Sequence, residues 1–303
     1  MSARRTLRIG TRGSALALWQ AHRIAQRLAR AAGAPPTQIV TVATTGDIVI
    51  DVPLSQVEGK AFFTKELDEA LLDGRIDLAV HSLKDIATEL PAGIALAAVP
   101  EREDPRDALV TRSGAQSLAD LPPGARIATS SVRRRAFVRR ARSDLEVLDL
   151  RGNVPTRVRL LDAGRFEAIV VAVAGLKRLE MANRIAAYLD PADFPPAAAQ
   201  GALAVCARTD DAEAMALATA LDDPAARVAT TAERSFLRQL EAGCQVPAGV
   251  LATLRGEHLS LYAAKCELDG SGWVSARREA AAARAEAAGR ELAMALMRAG
   301  SGA

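Results

Sequence analysis

The chain has 303 residues and a mass of 31.9 kDa; half the residues are apolar, a quarter are charged, and the net charge is +3. That size supports a substantial core and about two domains at roughly 150 residues each, with three allowed, and it excludes a mostly disordered chain. No apolar run reaches the roughly 18 residues of a membrane span, and Arg4, Arg5 and Arg8 lead at once into Thr11, Arg12 and Ser14 rather than into the apolar stretch of a secretory signal, so a cytoplasmic protein is expected.

The first two hundred residues alternate short apolar runs with helical patterns, which predicts an α/β fold. Strands are expected at 7–11, 39–43, 76–80 and 94–99, and helices over 15–32 and 62–72, the second stopped by Gly74. The charged stretch from Pro100 to Pro105 reads as a domain crossing. A second α/β unit runs through strand-like segments at 126–129, 146–150 and 167–173, each followed by a helical pattern, and Phe194-Pro195-Pro196 breaks it. Segment 202–207 reads as a buried strand returning to the first domain. From about Pro224 the character changes to an Ala/Arg helix, strand-like runs at 250–254 and 259–264, and an Ala-rich helix from about Arg278. The expected division is 1–100 with 200–220, 105–195, and a small α+β domain at 224–303.

Cys206, Cys244 and Cys266 are too far apart for a disulfide framework or a CxxC zinc site, and three histidines do not make a His-rich site, so no metal is expected. Aromatic residues, at 3%, are too few for a stacking platform on single-stranded nucleic acid. Only five of 39 cationic residues are Lys, and seven arginines without an acid crowd into 126–142. Thr129-Ser130-Ser131 lies between the strand and helix of that run, with Ser130 the expected N-cap. A strand-to-helix turn offers free N–H groups and the positive end of a helix, a natural anion site. Arg133, Arg134, Arg151 and Arg157 lie at or just after strand ends, where open α/β sheets bind ligands, and Arg grips carboxylates bidentately. They read either as a grip on a polyanion or as part of a solvated basic surface. Arg135, Arg139, Arg140 and Arg142 read as a solvated helix face.

His81 to Asp85 ends another strand and delivers Ser82, Lys84 and Asp85 to the same kind of edge. An ionised Asp there either steadies positive charge and passes a proton or caps the next helix. His81 reads as structural. Cys244 sits in a Gly/Pro-bounded turn and is freer to react than Cys206 and Cys266, which lie in apolar runs.

These segments together resemble the hydroxymethylbilane synthase, or porphobilinogen deaminase, family. The matching stretches are RIGTRGSALALWQA (8–21), TTGD (44–47), GKAFFTKELDEALL (59–72), DLAVHSLKD (77–85), EREDPRDALV (101–110), ATSSVRRRA (128–136), LRGNVPTR (150–157), VAVAGLKRL (171–179) and AERSFLRQLEAGCQVP (232–247). The resemblance implies two α/β domains similar to type II periplasmic binding proteins, facing each other across a cleft, and a third domain with a cysteine loop. It implies a dipyrromethane cofactor held covalently by Cys244, onto which four porphobilinogens are added with loss of ammonia before water releases the linear tetrapyrrole. By motif, Asp85 is the catalytic carboxylate. Lys84, Ser130, Arg133, Arg134 and Arg157 hold the cofactor, and Arg12, Ser14, Gln20, Phe63, Arg151 and Arg178 face the substrate, with Lys60 to Thr64 in a mobile loop. A monomer acting on a small molecule, without nucleic acid or membrane, follows. Two positions depart from the family pattern: Ala199 stands where a glycine is usual before Gln200-Gly201, and Ile86-Ala87 replaces Val-Pro after Asp85.

Overall fold

The structure is a computed structural model and describes residues 5–30, 35–45, 64–241 and 247–300. In chain order, β1 (Leu7–Thr11), α1 (Ala15–Ala29), β2 (Thr37–Thr41), α2 (Lys65–Leu72), β3 (Leu78–Ser82) and β4 (Ile94–Ala98) precede the Pro100–Pro105 stretch. After it come β5 (Asp107–Thr111), β6 (Arg126–Ala128), α3 (Val132–Ala141), β7 (Glu146–Leu148), α4 (Val154–Asp162), β8 (Ala168–Ala172), α5 (Val173–Arg178) and β9 (Ala187–Tyr188). The remainder comprises β10 (Leu203–Arg208), α6 (Ala212–Thr219), α7 (Pro224–Glu241), β11 (Ala248–Arg255), β12 (His258–Lys265), β13 (Val274–Ala281) and α8 (Ala285–Gly300). Two compact units result: Met1–Arg102 with Ala202–Arg227, and Glu103–Gly201 with Val228–Ala303.

The first unit is built on a five-stranded sheet in the order β2-β1-β3-β10-β4. β1 runs parallel to β2 and β3, whereas β10 enters antiparallel between β3 and β4, with Leu203 opposite Ser82. Ser14 caps α1 by accepting from the Ala17 amide, and Ala17, Gln20, Ala21, Ile24 and Leu28 recur at helical spacing to bury one face. Ala21, Ile24 and Leu28 pack with Leu7, Ile9, Leu78, Val80, Leu203 and Val205 in one core. Gly10 on β1 is closely approached: a Cβ there would lie 2.3 Å from the Ile76 side chain, which would have to shift.

The second unit carries two sheets. One has the order β7-β6-β8-β5-β9, with β6 parallel to β7 and β8, and β5 antiparallel to β8. Its strands therefore follow the same rule as the first unit: second, first, third, an antiparallel insert, fourth. The other sheet is the antiparallel β11-β12-β13, whose apolar face packs on α7 and α8 through Phe236, Leu240, Leu259, Leu261, Leu292 and Leu296. α8 approaches α7 so closely that a Cβ on Gly289 would lie 2.1 Å from the Ala232 carbonyl oxygen.

Several expectations shift. The last helix begins at Ala285 rather than near Arg278, because 274–281 pairs along its whole length with β12. Val274, Ala276 and Ala280 pack on the core with a period of two, which overrides the helical preference of alanine. β3 starts two residues later than expected, which puts Ser82 at its end. The short strand β9, absent from the sequence reading, pairs beside β5.

Candidate functional site

In the first unit a polar pocket opens at the carboxyl edge of β1 and β3, lined by Arg12, Ser14, Gln20, Thr64, His81, Ser82 and Asp85 among others. Chain geometry assembles it. β1 turns straight into α1, so Arg12 and Ser14 sit beside the helix N-terminus, and Thr11 Oγ1 donates to the Ala17 carbonyl across that turn (3.1 Å). Gln20, one turn further along α1 and 2% exposed, donates from Nε2 to Ser82 Oγ (2.9 Å). A 3-10 turn over Leu83–Asp85 follows β3, anchored by the Leu83 amide donating to the Ala202 carbonyl (3.0 Å). That anchor leaves Lys84 and Asp85 exposed at the rim. His81 is buried; burial and the nearby Arg12 charge push its pKa down to about 4, and its Nε2 has no hydrogen-bond partner. The imidazole is neutral at physiological pH.

In the second unit the equivalent edge carries two helix N-termini. Ser131, not Ser130 as expected, caps α3 by accepting from the Arg134 amide (3.4 Å), since the helix starts one residue later. Asn153 caps α4 by accepting from the Thr156 amide (3.0 Å). Arg133 and Arg134 are buried and share Asp107, the first residue of β5, which is itself fully buried. Arg134 Nε and Nη2 donate to Asp107 Oδ1 (3.0 and 2.7 Å), Nη1 to the Val170 carbonyl and Nη2 also to Gln200 Oε1. Arg133 Nη2 lies 2.7 Å from Asp107 Oδ2, and Nη1 donates to the Pro195 carbonyl (2.7 Å). The two guanidinium charges and the Gln200 amide hold the Asp107 carboxyl far below the usual range against its burial.

In the same unit, Arg151 keeps a buried Nη2 without a partner, and Arg157 Nε donates to the Gly152 carbonyl (2.7 Å). Arg178 is buried and donates to the Gly201 carbonyl (2.6 Å); burial lowers its pKa to about 10, so it stays protonated at neutral pH. Ser130 is half-buried in the turn before α3.

The later arginines of α3 are only partly solvated: Arg140 is exposed and Arg135, Arg139 and Arg142 are half-buried, and their guanidinium groups find partners in the protein. Arg139 donates to the Leu268 carbonyl, Arg140 stacks 3.8 Å over Trp273 and pairs with Asp193, and Arg142 donates to the Leu118 and Leu121 carbonyls. The β12–β13 turn packs against this end of α3, and a Cβ on Gly270 would lie 2.4 Å from the Arg140 amide nitrogen. Asp107 and Gln200, which organise the arginines, were not singled out by sequence. Cys244, Phe63 and Lys60 lie outside the described residues.

Surplus guanidinium charge, the unpartnered Arg151 Nη2 and two helix N-termini at one sheet edge fit a group rich in carboxylates. No cluster of His, Cys, Asp and Glu among the described residues could hold a metal ion. The fold is α/β, with buried arginines and two helix N-termini gathered at one sheet edge of the second unit.

The family model described as "Porphobilinogen deaminase, dipyromethane cofactor binding domain" matches residues 7–216, and "Porphobilinogen deaminase, C-terminal domain" matches residues 228–298. The chain belongs to the porphobilinogen deaminase family. It is 46% identical over 297 residues to the porphobilinogen deaminase of Syntrophobacter fumaroxidans, covering 98% of this chain and 96% of that one. It is 48% identical over 295 residues to that of Syntrophotalea carbinolica (97% and 93% covered). It is 49% identical over 267 residues to that of Roseiflexus castenholzii (88% of each). Among solved structures it is similar to a TRAP periplasmic solute binding protein from Desulfovibrio salexigens (12% identity, TM-score 0.42, 72% of each chain). It is also similar to an arginine-specific periplasmic binding protein of Salmonella typhimurium (14% identity, TM-score 0.40, 72% of this chain and 92% of that one).

Proposed function

We propose that this chain condenses four porphobilinogen molecules head to tail on a dipyrromethane cofactor, releasing one ammonia per addition, and frees hydroxymethylbilane by hydrolysis. The observation that carries the reading is the first unit's pocket, in which Asp85 shares a sheet edge with Arg12, Ser14, Gln20 and Ser82. The cofactor, attached through Cys244, supplies a nucleophilic pyrrole carbon. Asp85 holds a negative charge at the pocket rim, where it stabilises the cation that forms on the substrate as ammonia leaves and takes up the proton lost when the new carbon–carbon bond is made. Arg12, Ser14, Gln20, Arg151 and Arg178 orient the substrate's acetate and propionate groups, with Phe63 beside them. Lys84, Ser130, Arg133, Arg134 and Arg157 hold those of the cofactor. With two carboxylates on each pyrrole unit, the cofactor and four additions bring about twelve, which need charge-assisted partners.

The division into three domains, 1–100 with 200–220, 105–195 and 224–303, is part of this reading, supported by the separate cores of the β1–β4 sheet and of β11–β13. So are a monomer in the cytoplasm and the absence of nucleic acid as a ligand. Among the described residues no helix is long and apolar enough to cross a membrane. Five arginines of α3 and its C-cap, Arg133, Arg134, Arg139, Arg140 and Arg142, are bonded within the protein rather than presented as a phosphate-binding row.

The test is an intact mass of the purified protein together with turnover of Asp85→Asn. The parent is expected to exceed its sequence mass by one dipyrromethane. Asp85→Asn keeps that mass and turns porphobilinogen over at least about a hundredfold more slowly, the scale of a positioned charge or proton acceptor. An active parent of unmodified mass, or a variant within about threefold of it, refutes the reading.

A further inference from the structure

Asp107 enters the anion-binding edge from the wrong end of its strand. β6, β7 and β8 point their carboxyl ends at that edge, but β5 is antiparallel to β8, so its first residue, Asp107, lies opposite Ala172 at the end of β8. An acid at the floor of a carboxylate site opposes the ligand unless it serves the cations. Every contact it makes does so: Oδ1 accepts from Arg134 Nε, Arg134 Nη2 and Gln200 Nε2, and Oδ2 faces Arg133 Nη2 at 2.7 Å. Arg133 and Arg134 are consecutive residues in the first turn of α3, beside the positive end of its dipole, where two guanidinium groups repel each other and the helix. Without a counter-charge, burying both is unfavourable, and the two long side chains turn outward to water. One carboxylate between two guanidiniums removes that penalty and leaves one surplus positive charge held in fixed geometry.

We infer that Asp107 is a positioning residue for the cofactor and substrate carboxylates, acting through Arg133 and Arg134 rather than by touching the ligand. Gln200 completes the device: its Nε2 donates to the Pro105 carbonyl and to Asp107, and its Oε1 accepts from Arg134, so the carboxylate is fixed from a third side. The inference rests on the function proposed above.

A second buried carboxylate of the same unit provides the control. Glu233 is fully buried, and its carboxyl accepts from the Ala199 and Ala252 backbone amides (2.6 and 2.8 Å). Asp107→Asn and Glu233→Gln each replace a fully buried carboxyl by an amide. Apo-protein of each is incubated with porphobilinogen, loading is followed as the mass gained by the chain, and KM, kcat and melting temperature are measured well below each melting point. Asp107→Asn is expected to load at least tenfold more slowly and to raise KM at least tenfold, with kcat changed less than about fivefold. Glu233→Gln is expected to melt lower yet load and bind within threefold of the parent. Loading and KM within threefold of the parent in Asp107→Asn, or an equal loss in Glu233→Gln, overturns the inference. If Asp107→Asn does not fold, Asp107→Glu keeps the charge and displaces it by one methylene; a KM raised at least threefold supports the inference and a parental KM overturns it. A parent chain that never gains mass from porphobilinogen refutes the proposed function itself, an outcome distinct from these.

Discussion

Ala199 adopts φ +61°, a left-handed conformation that costs a residue with a side chain about 1–2 kcal/mol. The family pattern places glycine there, yet the exchange is nearly balanced. Glycine would relieve that strain, but it would also remove a fully buried methyl worth about 0.8 kcal/mol and add roughly 0.4–1 kcal/mol of freedom to the unfolded chain. Ala199→Gly is therefore expected to change stability by less than about 1 kcal/mol. Gly201, two residues on, is different. Its φ is +87°, a Cβ would lie 2.3 Å from the Glu103 carbonyl oxygen, and the Glu103 amide donates to the Gly201 carbonyl, so the obstacle is backbone that cannot step aside. Gly201→Ala is expected to cost more than about 2 kcal/mol, combining strain and overlap. Thermal melting of the two variants checks both; parental stability in Gly201→Ala shows that this turn can relax. The same distinction explains the arginines. The sequence singles out Arg133, Arg134 and Arg140 by type and spacing, but only packing reveals that Arg140 lies over Trp273 whereas Arg133 and Arg134 meet a carboxylate.

At the scale of elements, β3 and α2 carry opposing ionisable groups whose effects meet in one pH window. On β3, burial and the Arg12 charge lower the His81 pKa from 6.5 to about 4. The unfolded chain then binds a proton that the folded one refuses, so this contribution is complete above pH 6.5 and is lost as the pH falls towards 4, by up to roughly 3 kcal/mol. On α2, burial raises the Asp68 carboxyl from 3.8 to about 6, against a bond from Thr64 that lowers it. Between those values the folded chain holds the extra proton, so falling pH favours folding. The parent's stability between pH 4 and 6.5 is thus expected to be flatter than either group alone dictates. Asp68→Asn should steepen the loss towards acid and His81→Gln should reduce it. Melting curves from pH 4.5 to 7.5 that run parallel in all three proteins contradict both assignments. Neither group declared itself in the sequence: His81 reads as structural beside an apolar run, and no pattern marks Asp68. Elements with a strong period were legible as elements: the spacing of α1 suggests a face of Leu18, Ala21, Ala25 and Leu28, of which Ala21 and Leu28 are buried, while the buried face is completed by Ala17, Gln20 and Ile24. β13 was not, because its Ala/Arg run favours a helix locally and becomes a strand through pairing with β12.

For the molecule as a whole, the α/β character, the crossing near Pro100–Pro105 and the returning strand are legible because each is marked by local composition. The Asp107–Arg134–Gln200 network is not, since its bonds join residues 27, 66 and 93 positions apart. Placement also argues against two of the three thiols as the attachment point of a covalent group. A thioether requires a thiolate with room to be approached. Cys206 is 1% exposed in the middle of β10, between Ala79 on β3 and Leu96 on β4. Cys266 is equally buried in the core with Phe137 and Phe194, and burial pushes its thiol up to about 11, so it stays protonated at neutral pH. Both act as small apolar side chains. Cys244, the chain's remaining cysteine, is therefore the one expected to bear the dipyrromethane. Cys244→Ser should fold, show the bare sequence mass and lack activity, because a hydroxyl is a much weaker nucleophile than a thiolate. Cys206→Ser and Cys266→Ser should keep the added mass while melting lower, each having placed a hydroxyl in an apolar core at a cost of roughly 1–3 kcal/mol. Intact mass spectrometry of the three variants decides the matter. Retention of the added mass in Cys244→Ser, or its loss from a folded Cys206→Ser or Cys266→Ser with Cys244 in place, moves the attachment point elsewhere.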